Sequence, residues 1–345
     1  MIVYLSTERF SSTIRYFKDF VRGRTRASIV SLSYEELFFE GAGPIGHCIF
    51  TDFDRLSPYE LQCAAAFAGA LQAAAPDARI LNHPLKSLER YPLLVALHKA
   101  GINDFTATRV ETGERPPCYP VFIRCEDGYG GPETDLIHDD EGYDAAIASL
   151  AARALPRRGR ISIGFGNQRN ADGRFRKYGA FNIAGKIVPH DLMFGEKWVV
   201  KVHPLGTDRA MKRLEGHGET AEGVAEEWDY IQANPHEDIL RQAFSVAGID
   251  YGRADYGVMD GRVQIYEINT NPHLPWADIP TNRSNRRDLV LRGLIDAFDR
   301  IDVPIARRGR VRFQASRPRA HNLHFPRRRL AMSIARIAKD YVSLR

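Results

Sequence analysis

The sequence predicts a mixed α/β and α+β chain: a small N-terminal parallel α/β domain followed by two α+β subdomains. Three observations predict it. Short apolar runs alternate with helical stretches over residues 1–115. Paired β-rich runs separated by turn residues replace that alternation further on. At 345 residues, 44% apolar and 26% charged, the chain is long enough for two or three cores.

In the first unit, residues 1–115, Ile2 to Ser6 reads as a strand and Ser12 to Arg22 as a helix. Ala27 to Ser33 and His47 to Phe53 read as further strands. Ser57-Pro58-Tyr59-Glu60 is a helix start. Ser57 is the cap, Pro58 takes the first helical position, and Glu60 stands three residues after the cap. That helix runs through the alanine block Leu61 to Ala75. Arg79 to Asn82 reads as strand. Ser87 to Ala100 reads as helix closed by Gly101, with Pro92 kinking or delaying it. Alternation of this kind argues for a parallel sheet.

The second unit, residues 116–202, opens with a strand, Tyr119 to Arg124. It runs into Glu126-Asp127-Gly128-Tyr129-Gly130-Gly131, and Thr134 to Ile137 resumes the strand. Glycines let backbone N–H groups come close to phosphate, although such a turn is also an ordinary hairpin. Ile161 to Phe165 is a strand followed by a polar loop, Gly166 to Arg174. Phe175 to Ile183 and Gly185 to Pro189 form a hairpin pattern, and Trp198 to Lys201 ends a further strand. The third unit, residues 203–305, begins with a polar loop that leads into a helix from about Thr220. A helix from Pro235 to Ala247 is closed by Gly248, and an amphipathic helix runs from Asn285 to Ile301.

Residues 253–272 carry the chemistry. Two β-rich runs flank Asp260-Gly261. The first holds Asp255. The second holds Glu267 and Asn269, two apart and so on one face. Hard oxygen ligands grouped in this way suit Mg²⁺. Hairpin register decides whether the runs can cooperate. A two-residue loop would pair Asp255 with Tyr266 and put Glu267 on the other face. A three-residue loop, Met259-Asp260-Gly261 with Gly261 as a left-handed bulge, pairs Val258 with Arg262 and brings Asp255 onto the face of Glu267 and Asn269. The bulged form is the expectation.

Arg253-Ala254-Asp255, then Glu267-Ile268-Asn269-Thr270-Asn271-Pro272, resembles the metal-binding signature of the ATP-grasp superfamily, its carboxylate–amine ligases included. The resemblance spans roughly residues 80–300 and departs from the family at His273, where Gly is usual. It implies the ATP-grasp fold, with the two α+β subdomains clasping ATP. It also implies two Mg²⁺ ions (Mn²⁺ being an alternative) held by Asp255, Glu267 and Asn269. Arg253 would stabilise charge on the transferred phosphoryl group or an intermediate. Arg124 stands where the family places Lys. It is the expected nucleotide contact, beside a phosphate loop containing Gly128, Gly130 and Gly131. On the later strand Lys177 or Arg176 matches a basic residue that reaches phosphate, with Lys201 as a further candidate. The alternative for that strand is a solvated basic surface.

What the resemblance implies chemically is an ATP-dependent ligase. A carboxylate becomes an acyl phosphate, and an amine attacks it to form an amide. Both substrates are small molecules or peptides. A phosphotransferase on the same scaffold, or an ATP-binding protein that has lost catalysis, are the alternatives. Walker A, G-x-S-x-G and HExxH motifs are absent from the sequence, which fits chemistry done by positioning and charge neutralisation.

Residues 307–345 hold twelve Lys or Arg and one acid, a net +11. The whole chain is +5, so residues 1–306 carry a net −6. The basic character belongs to the tail, and no nucleic-acid face is expected on the body. The tail, residues 306–345, begins with an arginine-rich stretch, Ala306 to Pro326, that is expected to be irregular. Leu330, Ile334, Ile337, Tyr341 and Leu344 then recur at helical spacing. Such a helix would meet a partner or membrane surface, or dock on its own domain or on a dimer mate. Dimers are common in the superfamily. No apolar stretch reaches the roughly 20 residues of a membrane span. Cys48, Cys63, Cys118 and Cys125 show no CxxC or paired zinc spacing, and they are read as reduced thiols in a cytoplasmic protein.

Overall fold

The computed structural model describes residues 1–127, 130–200, 220–275 and 284–314. Strands β1 (Ile2–Ser6), β2 (Ile29–Ser33), β3 (Ala42–Pro44), β4 (His47–Phe50) and β5 (Ile80–Leu81) come first. Helices α1 (Ser12–Phe20), α2 (Tyr34–Glu40) and α3 (Pro58–Ala74) alternate with them. The expected parallel sheet is present in the order β2-β1-β4-β5. Strand β1 is buried along its whole length, as a strand covered on both faces must be. Helix α3 starts as expected. The Ser57 hydroxyl accepts from the Glu60 N–H at 3.3 Å, and the Glu60 carboxylate accepts from the Ser57 N–H at 2.8 Å.

Helix α4 (Arg90–Lys99) follows, then β6 (Ala107–Arg109), β7 (Val121–Cys125), α5 (Asp140–Ala152) and β8 (Arg160–Gly164). Pro92 lies in the first turn of α4, where a missing N–H breaks no helical hydrogen bond, so it delays the start and does not kink the helix. A three-stranded antiparallel sheet has the order β6-β8-β7. Its first strand comes from residues ahead of Pro116.

The largest sheet is antiparallel in the order β10-β9-β11-β12. It comprises β9 (Phe175–Ile183), β10 (Lys186–Gly195), β11 (Tyr251–Met259) and β12 (Arg262–Asn269), with α6 (Ala221–Ala233) and α7 (Glu237–Ala247) between β10 and β11 in the chain. Helices α6, α7 and α8 (Ser284–Ile301) pack on this sheet. Leu240, Phe244, Leu294 and Phe298 join Phe181 and Tyr251 in the core.

Three expectations change here. Thr134 to Ile137 resumes no strand, and only isolated bridges join Val121 to Ile137 and Arg124 to Pro132. Trp198 and Val199 form no strand. Trp198 instead packs against Phe122 and Phe165, with ring centroids at 5.1 and 5.8 Å. The start of the tail is not irregular throughout, because β13 (Arg310–Arg312) pairs antiparallel with β3. The expected tail helix lies outside the described residues. No helix among the described residues is long and apolar enough to cross a membrane.

Two asparagines join the first sheet to the largest one. Asn82 is fully buried with φ +57°. Its Nδ2 donates to the Phe50 and Tyr251 carbonyls at 2.9 and 2.7 Å, and its Oδ1 accepts from the Asp250 and Tyr251 N–H groups at 2.8 and 2.9 Å. Asn271, just past β12, donates through Nδ2 to buried Asp52 at 2.9 Å and accepts from the Tyr4 hydroxyl at 2.8 Å. Its own N–H donates to Asn269 Oδ1 at 2.9 Å. The end of the signature strand is thus tied to the first sheet.

Candidate active site

The β11–β12 hairpin reaches the expected face by a different route. Its turn is the two-residue Asp260-Gly261 loop, with φ +49° and +77°, and Met259 pairs with Arg262. The register then shifts in mid-strand. Tyr256 pairs with Ile265 but Asp255 pairs with Glu267, so Tyr266 is the extra residue. The expected Gly261 bulge is therefore wrong. Asp-Gly favours the tight turn, whose twist matches the strands. The bulge falls where a side chain finds room: a Cβ on Gly257 would stand 1.9 Å from the Tyr266 hydroxyl oxygen. Asp255 still lies directly opposite Glu267, and Arg253 opposite Asn269.

Asp255 is held from its own sheet. Lys177 Nζ donates to Oδ2 at 3.0 Å, and Arg253 Nε donates to Oδ1 at 3.0 Å. Burial alone would raise the Asp255 carboxyl. Arg253 and then Lys177 outweigh it and keep it below the ordinary carboxylate range. Glu267 is held from elsewhere. Arg90, at the start of α4, donates to its Oε2 at 2.6 Å, and Arg124 of β7 lies 3.6 Å from the same oxygen. Arg90 also donates to the Glu126 carbonyl. Burial, with Arg90 close by, lowers the Arg124 guanidinium to about 10.

A cavity of about 60 Å³ opens beside this row. It is lined by Asp54, Glu89, Arg90, Glu126, Asp127, Glu267 and Asn269 among others. Burial, then the charges of Asp127, Asp54 and Glu126, push Glu89 up to about 7. Burial raises Asp54 to about 6.

The structure therefore gathers Arg253, Asp255, Glu267, Asn269, Lys177 and Arg124, while Arg176 turns to Glu226 and Asp172. Gly130 is exposed and Gly131 buried with φ +87°, and neither lines the cavity. Gly128 and Lys201 lie outside the described residues. Among the described residues no group of three or more His, Cys, Asp and Glu side chains is arranged to hold a metal ion. The trio expected from sequence has two carboxylates and an amide, a set of oxygen donors that fits a hard cation. Sequence reasoning missed Arg90, hidden in a helix start. It also missed Asp191 of β10, which shares a row with Gly179, Asp255 and Glu267.

No protein-family model and no curated protein matches the chain. Solved structures do. The ATP-grasp ligase PsnB complexed with a minimal precursor is 13% identical. The match covers 88% of this chain and 99% of that one, with a TM-score of 0.51. D-alanine–D-alanine ligase from Bacillus anthracis, complexed with ATP, is 12% identical over 87% of this chain and 97% of that one, with a TM-score of 0.46. L-amino acid ligase from Bacillus licheniformis is 11% identical, covering 90% and 78%, with a TM-score of 0.42. The chain has the ATP-grasp fold.

Proposed function

We propose that the protein is an ATP- and Mg²⁺-dependent ligase that joins a carboxylate to an amine. The observation that carries this reading is the pairing of Asp255 with Glu267 and of Arg253 with Asn269. It sets three oxygen donors and one arginine on a single sheet face.

Asp255, Glu267 and Asn269 would hold the metal, which supplies neutralisation of phosphate charge when bound. Lys177 and Arg124 are the phosphate contacts of this reading. Both already hold anionic oxygens, one on Asp255 and one on Glu267. The substrate carboxylate attacks the γ-phosphorus of ATP and ADP leaves. The amine nitrogen then attacks the acyl carbon and phosphate leaves. Arg253, fixed by its ion pair with Asp255, stabilises the negative charge of the tetrahedral intermediate. The acidic cavity wall suits an amine that arrives as an ammonium. Glu89 at about 7 can take its proton near neutral pH. At about 60 Å³ the cavity holds a cation and water, not a nucleotide. In this reading the sheet that carries Arg124 moves as ATP enters. A peptide carboxylate stands beside small acids as the substrate, because the PsnB structure holds a precursor. The division into an N-terminal domain and two clasping subdomains belongs to the same reading, as does a cytoplasmic location.

The test is ADP release from Mg·ATP with pooled carboxylates and amines, with product analysis and Glu267→Ala as control. Pool-dependent ADP with an amide product, lost in the variant, supports the reading. A phosphorylated alcohol would replace it with a phosphotransferase. ADP release unchanged in Glu267→Ala would sink it.

A further inference from the structure

Across the four strands of the largest sheet, one row reads Asp191, Gly179, Asp255, Glu267. Asp191 and Asp255 flank a residue with no side chain. A Cβ on Gly179 would stand 2.1 Å from Asp191 Oδ1, while the same point lies 3.8 Å from Arg253 Cδ. The Asp191 carboxylate therefore lies across the glycine, no more than about 6 Å from the arginine side chain. It is largely buried, 14% exposed, with Oδ2 3.2 Å from His190 Nδ1. Gly179 has ordinary negative φ, so what demands glycine is the space that Asp191 occupies.

The charges on this face are lopsided. Lys177 and Arg253 both spend their ion pairs on Asp255. If Asp255 turns to another cation, two largely buried positive groups lose that partner. Burying an uncompensated charge is expensive. Asp191 attracts both: after Asp255 it is the next carboxylate that raises Lys177 and Arg253. It also repels Asp255.

We infer that Asp191 is a positioning residue: a reserve counter-ion that lies across Gly179 and keeps Lys177 and Arg253 in place when Asp255 changes partner. One arm of its test rests on the reading of Asp255 as a metal ligand, and the other does not. Two features would serve one purpose: the glycine opens the passage, and the carboxylate uses it. Lys177 would then stay aimed at the ATP phosphates, and Arg253 at the intermediate, while Asp255 is engaged.

The metal-free arm is a double-mutant cycle on thermal unfolding with Asp191→Asn and Asp255→Asn. Asp191→Asn should lower Tm by at least twice as much in the Asp255→Asn background as in the wild type. Equal shifts in the two backgrounds would overturn the inference. Gly179→Ala, which displaces the carboxylate without removing its charge, should reproduce that dependence on background. The second arm titrates Mn²⁺ by electron paramagnetic resonance. Asp191→Asn should weaken binding about tenfold, and adding Lys177→Met should recover most of the loss, because one fewer cation needs a partner. A double variant as weak as Asp191→Asn would instead make Asp191 a direct metal neighbour and overturn the counter-ion role. If the wild type takes up no Mn²⁺, the metal reading of Asp255 fails and the unfolding cycle alone decides on Asp191.

Discussion

Asp255 and Glu267 face each other across one pair of strands, yet they are held in opposite ways. Asp255 is 10% exposed and takes its partners, Lys177 and Arg253, from its own sheet. Glu267 is 30% exposed and takes Arg90 from α4 and Arg124 from another sheet. The first site is complete once β9 and β11 pair. The second exists only when three separate elements have docked. One sheet thus offers a preorganised anchor beside a carboxylate whose surroundings can change with the docking of its neighbours, a useful division where a ligand must enter.

The sharpest way to break the comparison is to remove each carboxylate in turn. Asp255→Ala takes from two largely buried cations their direct partner and leaves only Asp191 near them, which should cost about 3 kcal/mol in urea unfolding. Glu267→Ala should cost only about 1 kcal/mol, because Arg90 keeps the Glu126 carbonyl and the site is wetter. In ADP release the order levels out, with both variants losing at least about 100-fold. Equal stability losses would contradict the contrast between the two sites.

Arg90→Met sharpens the Glu267 side. Stability should fall by about 1 kcal/mol, and the KM for ATP should change while Asp255-dependent stability does not. Urea unfolding of the Arg90→Met/Asp255→Ala pair should therefore be additive.

Acid sharpens the Asp255 side. Its carboxyl is depressed in the folded protein, so its stabilisation is present above the unfolded value near 4 and is lost as pH falls through the lower folded value. Asp255→Ala should flatten the decline of stability below about pH 4.

The smallest effect concerns the cavity wall. Glu89 is raised from 4.5 to about 7, so the folded state keeps a proton that the unfolded chain releases. Stability is then lost as pH rises from 4.5 towards 7. Glu89→Gln should raise Tm by about 1–2 °C at pH 8 and leave it unchanged at pH 4.5. As the base that takes the amine's proton, Glu89 sets the acid limb of the kcat profile, and the same variant removes that limb.

Much of this was legible in the sequence. The capping box at Ser57, the parallel first sheet and the helix ends at Gly101 and Gly248 follow from local patterns. The hairpin shows the limit. Local turn chemistry favoured the tight Asp260-Gly261 turn, and the bulge moved to Tyr266 because Gly257, nine residues earlier on the facing strand, made room for its side chain. Nothing near Tyr266 in the chain announces that space. Arg90 was hidden for a similar reason. At a helix start it reads as an ordinary surface charge, and only the docking of α4 on β12 aims it at Glu267. Asp191 carried a faint signal, a glycine in mid-strand at Gly179, which marks a close approach without naming what approaches.

The central claim is that a substrate carboxylate is activated as an acyl phosphate on this face. Its most direct test supplies Mg·ATP, amines and a pool of ¹⁸O-labelled carboxylates, then weighs the released phosphate by mass spectrometry. The account predicts one ¹⁸O in the phosphate, absent with Glu267→Ala. Turnover that releases only unlabelled phosphate, or leaves phosphate on an alcohol, would contradict it.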